Sequence, residues 1–354
     1  MKRQFALSGA AALCLAAGAV TLGGQAPSAP PLTGAAQVHV EAARKAAGTA
    51  HKDIFDSTCG YLTQAPRPAA PPATGAAAAP RRPGPPARDT WFSEPARVFD
   101  NLYFVGQSEY SAWALTTSEG IILIDAIFDY SVEEEVSGGM RKLGLDPAQI
   151  KYVIVSHGHG DHSGGAKFLQ DKYGARVVLS EADWDLLERS KANPNAQPVP
   201  RRDVVATDGM KLTLGDTTIT LYITPGHTLG TLSTILPVKD RGRTHLAASW
   251  GGTAFNWVTG PANYITPDRP ASFWFDTYQK SAVRFRNLAA QAGADVIIAN
   301  HTKFDGSKTK IPALAARAQG QTHPYVIGKE GVLQYMTTVD ECAQAGLAMQ
   351  GAGR

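Results

Sequence analysis

The chain has 354 residues, 44% of them apolar and 18% charged, and a formal net charge of +3. That length can bury a sizeable core in one large domain or two modest ones. The charge bias is slight and no basic stripe is interleaved with aromatics, so nucleic acid is not expected as a partner and a small-molecule substrate is.

The N-terminus does not read as part of a fold. "MKRQ" is a short basic stretch, and "FALSGAAALCLAAGAVTL" behind it is apolar and Ala-rich. Small residues follow in "GGQAPSAP". This layout predicts a secretory signal over residues 1–26, with a periplasmic or secreted mature chain that keeps no stable membrane span. The rival reading is an uncleaved anchor, because the run from Phe5 to Leu22 nearly reaches spanning length. Residues 27–64 form an N-terminal extension, helical over about 36–58. Residues 65–90, dominated by Ala and Pro, cannot build a core and form a linker. The catalytic domain is expected over residues 91–354. Removing the signal takes Cys14 with it. Cys59 and Cys342 are then either a disulfide tying the extension to the last helix or two unrelated buried thiols.

Strands and helices alternate from Trp91 onward. "NLYFVGQ" and "SAWALTTSEGIILIDA" read as strands, "SVEEEVSGGMRKLG" as an amphipathic helix and "YVIVS" as a short buried strand. "AKFLQDKYG" and "EADWDLLERSK" read as helices flanking the strand "RVVLS". "KLTLGDTTITLYIT" is a hairpin, and "STILPV" pairs with "THLAAS". The long helix "SFWFDTYQKSAVRFRNLAAQAG", the strand "DVIIAN" and a closing helix over "KEGVLQYMTTVDECAQAG" complete the chain. Alternation of this kind predicts an α/β sandwich with helices outside the sheets.

One stretch stands apart. "SHGHGDHSGG", Ser156 to Gly165, places His157, His159, Asp161 and His162 within six positions, directly after a buried strand. Imidazole and carboxylate are the ligands of catalytic zinc sites, which keep a coordination position open. Gly158 and Gly160 are expected to give the loop room and backbone freedom to bring these side chains to one point. Four ligands in one loop do not make a two-metal site. His227, in "LYITPGHTLG", and His301, in "DVIIANHTKFDG", also stand at strand ends and are the two that could join them. His39, His51, His245 and His323 lack this context and are read as surface or core.

"HGHGDH", then "TPGH", then "ANH" resembles the metallo-β-lactamase superfamily in motif order, over roughly Val98 to the C-terminus. The resemblance implies a four-layer αββα sandwich and two zinc ions per chain. It implies His157, His159 and His227 on the first zinc, and Asp161, His162 and His301 on the second. Asp125, in "LIDA", would be a buried anchor for the site. The thioesterase-like and lactonase-like branches carry a bridging aspartate at a strand end between the last two histidines. Here "THLAAS" ends in Ser249, and no cysteine ligand lies nearby either. This pattern resembles subclass-three metallo-β-lactamases. Two departures stand beside it: "HTKFDGSKTK" follows the last ligand, and the loop after Ser249 is long and aromatic.

The expected activity is opening of a cyclic amide, foremost a β-lactam, by a metal-held hydroxide that Asp161 orients. Ser249 is either a small strand-end residue or the hydroxyl that positions a substrate carboxylate through water. Trp113, Phe255, Trp257, Tyr264 and Trp274 are either pocket walls or plain core. Hydrolysis of a lactone or thioester is the nearest alternative. A non-catalytic metal-binding protein and an iron oxidoreductase on the same fold are more distant ones. Neither the substrate nor the oligomeric state can be read from these residues.

Overall fold

The computed structural model describes Leu32, residues 34–62 and residues 84–351. The expected signal over 1–26 and the linker up to residue 83 lie outside the described residues. No helix among the described residues is long and apolar enough to cross a membrane.

Two sheets face each other. The first has seven strands in sequence order: β1 (Ala96–Arg97), β2 (Leu102–Phe104), β3 (Trp113–Thr117), β4 (Gly120–Ile124), β5 (Ile150–Ile154), β6 (Arg176–Ser180) and β7 (Val204–Ala206). Its first four strands pair antiparallel, and β4 to β7 pair parallel. The second sheet holds β8 (Met210–Leu214), β9 (Thr217–Ile223), β10 (Leu232–Asp240), β11 (Arg243–Trp250) and β12 (Val296–Ala299). There β12 joins β11 in parallel, and the other pairs are antiparallel.

Alternation along the strands builds the layers. Trp113, Leu115, Ile122, Ile124, Leu236, Ala247 and Ile298 point between the sheets into one apolar cluster. Their neighbours Ala114, Leu123 and Val153 face outward instead. They meet the helical layer of α3 (Gly139–Lys142), α4 (Gly160–Ser163), α5 (Ala166–Tyr173) and α6 (Glu181–Ser190), through Met140, Leu169, Trp184 and Leu187. A π-helical stretch, Glu133–Gly138, runs into α3 where the sequence reads as a plain helix.

The second sheet's outer face is covered from both ends of the chain. Helices α1 (Gly34–Ala47) and α2 (Lys52–Leu62) share a cluster with α7 (Asn256–Thr259), α8 (Ala271–Ala292), α9 (Thr302–Asp305) and the last helix. After α10 (Ser307–Ala315) comes that last helix, α11 (Gly328–Gly351). The four layers are helix, sheet, sheet, helix, the αββα sandwich the motif order implies. Cys59 of α2 and Cys342 of α11 form a disulfide across 283 residues of sequence. The N-terminal extension is therefore packed into the fold beside α11, not carried as a separate appendage.

Candidate metal centre

Five strand ends meet at one rim. Asp125 follows β4, the His157 loop follows β5, His227 follows β9, Gly251 follows β11 and His301 follows β12. Each strand is anchored by its apolar faces, so each loop is delivered to a fixed place. The turn after β5 is tight. A Cβ at Gly165 would lie 2.3 Å from the Ala126 carbonyl oxygen, so the chain can pass there only as glycine. Gly158 and Gly160 contribute room and not unusual backbone angles, since neither adopts a positive φ. A Cβ on Gly160 would meet the Gln197 side chain at 2.6 Å.

Six side chains converge as two triplets. His157 Nε2 and His159 Nδ1 each lie 3.1 Å from His227 Nε2. Beside them, His162 Nε2 lies 3.2 Å from both His301 Nε2 and Asp161 Oδ2, and His301 Nε2 lies 3.6 Å from that same oxygen. Ligands at the usual zinc distances on a tetrahedron sit about 3.3 Å apart, so both triplets have the right spacing. His157 also stands near the second set, its ligand atom within 4.8 Å of those of Asp161 and His162.

The far nitrogens are committed as well. His157 Nδ1–H donates to the Gly251 carbonyl at 2.9 Å, and His227 Nδ1–H to the Ala254 carbonyl at 2.7 Å. His162 Nδ1–H donates to Asp125 at 3.0 Å. His159 Nε2 meets the Tyr264 hydroxyl at 2.8 Å. Partners of this kind fix the ring tautomer and aim the other nitrogen's lone pair at a metal. Spacing, donor type and outer partners all fit zinc.

The electrostatics agree for four of the five histidines. Burial, reinforced by neighbouring imidazoles, holds His157 and His227 well below the ordinary range, so their lone pairs are available. Burial brings His159 to about 4 and His301 to about 3. His162 runs the other way, to about 10: burial opposes its charge, but the Asp161 and Asp125 carboxylates outweigh it. Burial alone would raise Asp161. His162, then His301 and His159, pull it far below the carboxylate range, so it stays ionised.

Three supports stand behind the ligands: Asp125, the buried anchor that the resemblance implies, and Asp183 and Tyr110, which could not be read from the sequence. Asp125, with a left-handed φ of 61°, accepts from the Ser156 N–H at 2.6 Å and the Ser156 hydroxyl at 2.9 Å while holding His162. Asp183 of α6 accepts from Gly158 N–H, the Thr228 hydroxyl and Gly230 N–H, tying the His157 loop to the His227 loop. Tyr110 packs its ring 4.9 Å from His301, and its neighbour Ser111 donates its N–H to the Asn300 carbonyl. Neither Asp183 nor Tyr110 belongs to a compact motif, so only the tertiary path brings them to the site.

Ser249 lies on the inner face of β11, opposite Thr234 and 6% exposed. Asp240 pairs with Arg317, Asp276 with Lys280 and Asp295 with His245, so none of these acids serves as a bridging ligand. Trp113, Phe255 and Trp257 are core. Trp274 belongs to that core too, and with Tyr264 it walls a cleft of about 580 Å³ that reaches His159.

The profile of the metallo-beta-lactamase superfamily matches residues 105–240. A subclass B3 metallo-β-lactamase of Bradyrhizobium japonicum is 29% identical, with a TM-score of 0.62 over 74% of this chain and 96% of that one. The native FEZ-1 metallo-β-lactamase of Legionella gormanii is 22% identical and shares the fold, at a TM-score of 0.60 over 74% of this chain and 98% of that one. A hydroxyacylglutathione hydrolase of Acidiphilium cryptum is 29% identical over 119 residues, 34% of this chain and 41% of the relative. One from Pseudomonas syringae pv. syringae is 24% identical over 213 residues, 56% of this chain and 76% of the relative. The match thus spans less than half the length of the first of these curated relatives and about three quarters of the second.

Proposed function

We propose that this chain, which carries the fold and motif order of the metallo-β-lactamase superfamily and resembles its subclass B3, is an exported dizinc hydrolase that opens β-lactams. The observation that carries the reading is the pair of N/O triplets with zinc spacing, 3.1 Å in the first and 3.2–3.6 Å in the second. His157, His159 and His227 would hold one ion, and Asp161, His162 and His301 the other.

When bound, zinc supplies a nucleophile from water at neutral pH and polarises the substrate carbonyl. The protein's own groups do the rest. Asp161 turns Oδ2 toward His162 and His301, which leaves Oδ1 to accept a hydrogen bond from the attacking water and orient it. The histidines are held in one tautomer, so the site needs no rearrangement as charge develops. Ser249, whose hydroxyl has no hydrogen-bond partner among the described residues, would position a substrate carboxylate through water.

Two observations favour a β-lactam: likeness to a B3 enzyme across 74% of the chain, and a serine where a bridging carboxylate would stand. The hydroxyacylglutathione hydrolase relatives favour a thioester as the second reading. The buried Cys59–Cys342 disulfide supports export to an oxidising compartment, periplasmic or secreted. A panel of a chromogenic cephalosporin, a carbapenem, a lactone and a hydroxyacylglutathione decides the substrate. Ring opening of the first two upholds the reading. Turnover confined to the thioester replaces it.

A further inference from the structure

The cleft beside His159 lies between α6 and the loop that leads into α8. Leu186, Leu229 and Trp274 give it apolar walls, and at about 580 Å³ it has the size of a small-molecule site. Two cations line it, Arg189 from the last turn of α6 and Arg269 from the loop before α8. Neither guanidinium has an ion pair or hydrogen bond among the described residues, although Asp183 feels the charge of Arg189. Arg202, which packs near the start of the same helix, is by contrast fully engaged, with Glu181 and Asp185.

A third group faces the same space. The Tyr264 oxygen accepts from Asn256 Nδ2–H at 3.3 Å. It also meets His159 Nε2 at 2.8 Å. His159 turns Nδ1 toward His227 and the ligand cluster, so its hydrogen sits on Nε2 and points at the phenol. With two donors directed at its oxygen, Tyr264 has its own O–H left to donate, and it donates to no other group among the described residues. Trp274 fixes the ring, donating Nε1–H to the Tyr264 carbonyl at 3.0 Å and packing edge-on at 5.3 Å.

We propose that this cleft is a carboxylate subsite, in which Arg189 and Arg269 take the substrate's anionic group and Tyr264 donates to it at the metal end. Guanidinium forks suit a carboxylate because they can present two parallel N–H donors. The proposal rests on the hydrolase reading and places the anion on the His159 side of the centre.

The test uses the zinc-loaded chain and its Arg189→Gln/Arg269→Gln double variant. A chromogenic cephalosporin is compared with its methyl ester. For the free acid the variant should show KM raised about tenfold or more, with kcat changed far less. For the ester the two proteins should match. Equal KM for the acid, or equal losses for acid and ester, overturns the subsite. Calorimetric titration with the chemically ring-opened cephalosporin repeats the comparison without turnover. Binding by the wild-type chain that the variant loses supports the subsite even where no β-lactam is hydrolysed. No binding, or equal binding, overturns it. A wild-type chain that binds this product but hydrolyses no β-lactam contradicts only the proposed substrate. Tyr264→Phe should weaken product binding while zinc content stays at the wild-type level.

Discussion

Asp125 and His162 are joined beneath the metal centre, the carboxylate accepting from Nδ1–H at 3.0 Å with both side chains sealed from solvent. The same Asp125 oxygen accepts from the Ser156 hydroxyl at 2.9 Å. In Asp125→Asn an amide nitrogen at that place would face two donors. His162 would be driven to carry its proton on Nε2, the atom meant for the metal. Zinc at the second position should bind ten- to a hundredfold more weakly, the usual cost of losing such a partner. Chelator competition measures it, and wild-type affinity would show that Asp125 does not set the tautomer.

Asp161 has two duties, holding the second ion through Oδ2 and orienting the attacking water by a hydrogen bond to Oδ1. Asp161→Ala removes both, so turnover should fall by orders of magnitude and about one equivalent of zinc should be lost. A variant with near-normal turnover and full zinc content would refute the role assigned to this residue.

The disulfide closes nearly the whole chain into one loop, so its loss frees the unfolded state substantially. Replacing Cys59 and Cys342 together by serine should cost about 2–5 kcal/mol of stability, read from urea denaturation. Zinc content should hold, because neither α2 nor α11 supplies a ligand or a hydrogen-bond partner of one. Loss of zinc in a folded variant would mean that the N-terminal helices support the site directly.

His51, against Tyr335 in the α2 layer, should shape the acid limb of stability. Burial, then the charge of Lys310, lowers it from 6.5 to about 4. The folded state therefore resists protonation more than the unfolded chain does. Its contribution is complete above pH 6.5 and is lost as pH falls toward 4, roughly 3 kcal/mol in all. His51→Gln lacks this group, so its melting temperature should fall less steeply than wild type across that window. Parallel curves would show that His51 does not titrate on unfolding.

The ligands were legible because their geometry is local. His157, His159, Asp161 and His162 share one turn, and His227 and His301 each end an apolar run, so strand anchoring alone brings them to one rim. The layers followed from the same alternation that turns Leu115 inward and Ala114 outward. Tyr264 was not separable from core aromatics such as Trp257, because its contact with His159 depends on how a long loop returns over the site. Asp183 looked like any acid on an amphipathic helix until α6 met the Thr228 turn. The pairing of Cys59 with Cys342 rests on α2 packing against α11, which no spacing encodes. The π-helical stretch at Glu133–Gly138 likewise has no mark in its periodicity.

The central claim is a two-zinc hydrolytic centre. Its most direct measurement follows hydrolysis of a chromogenic cephalosporin by the chain beginning after the expected signal, with zinc per chain counted before chelation, after it and on readdition. The expected result is about two zinc ions per chain, with turnover abolished by chelation and restored by zinc. Hydrolysis that persists in the zinc-free protein, or a chain that takes up no zinc at these histidines, would contradict the account.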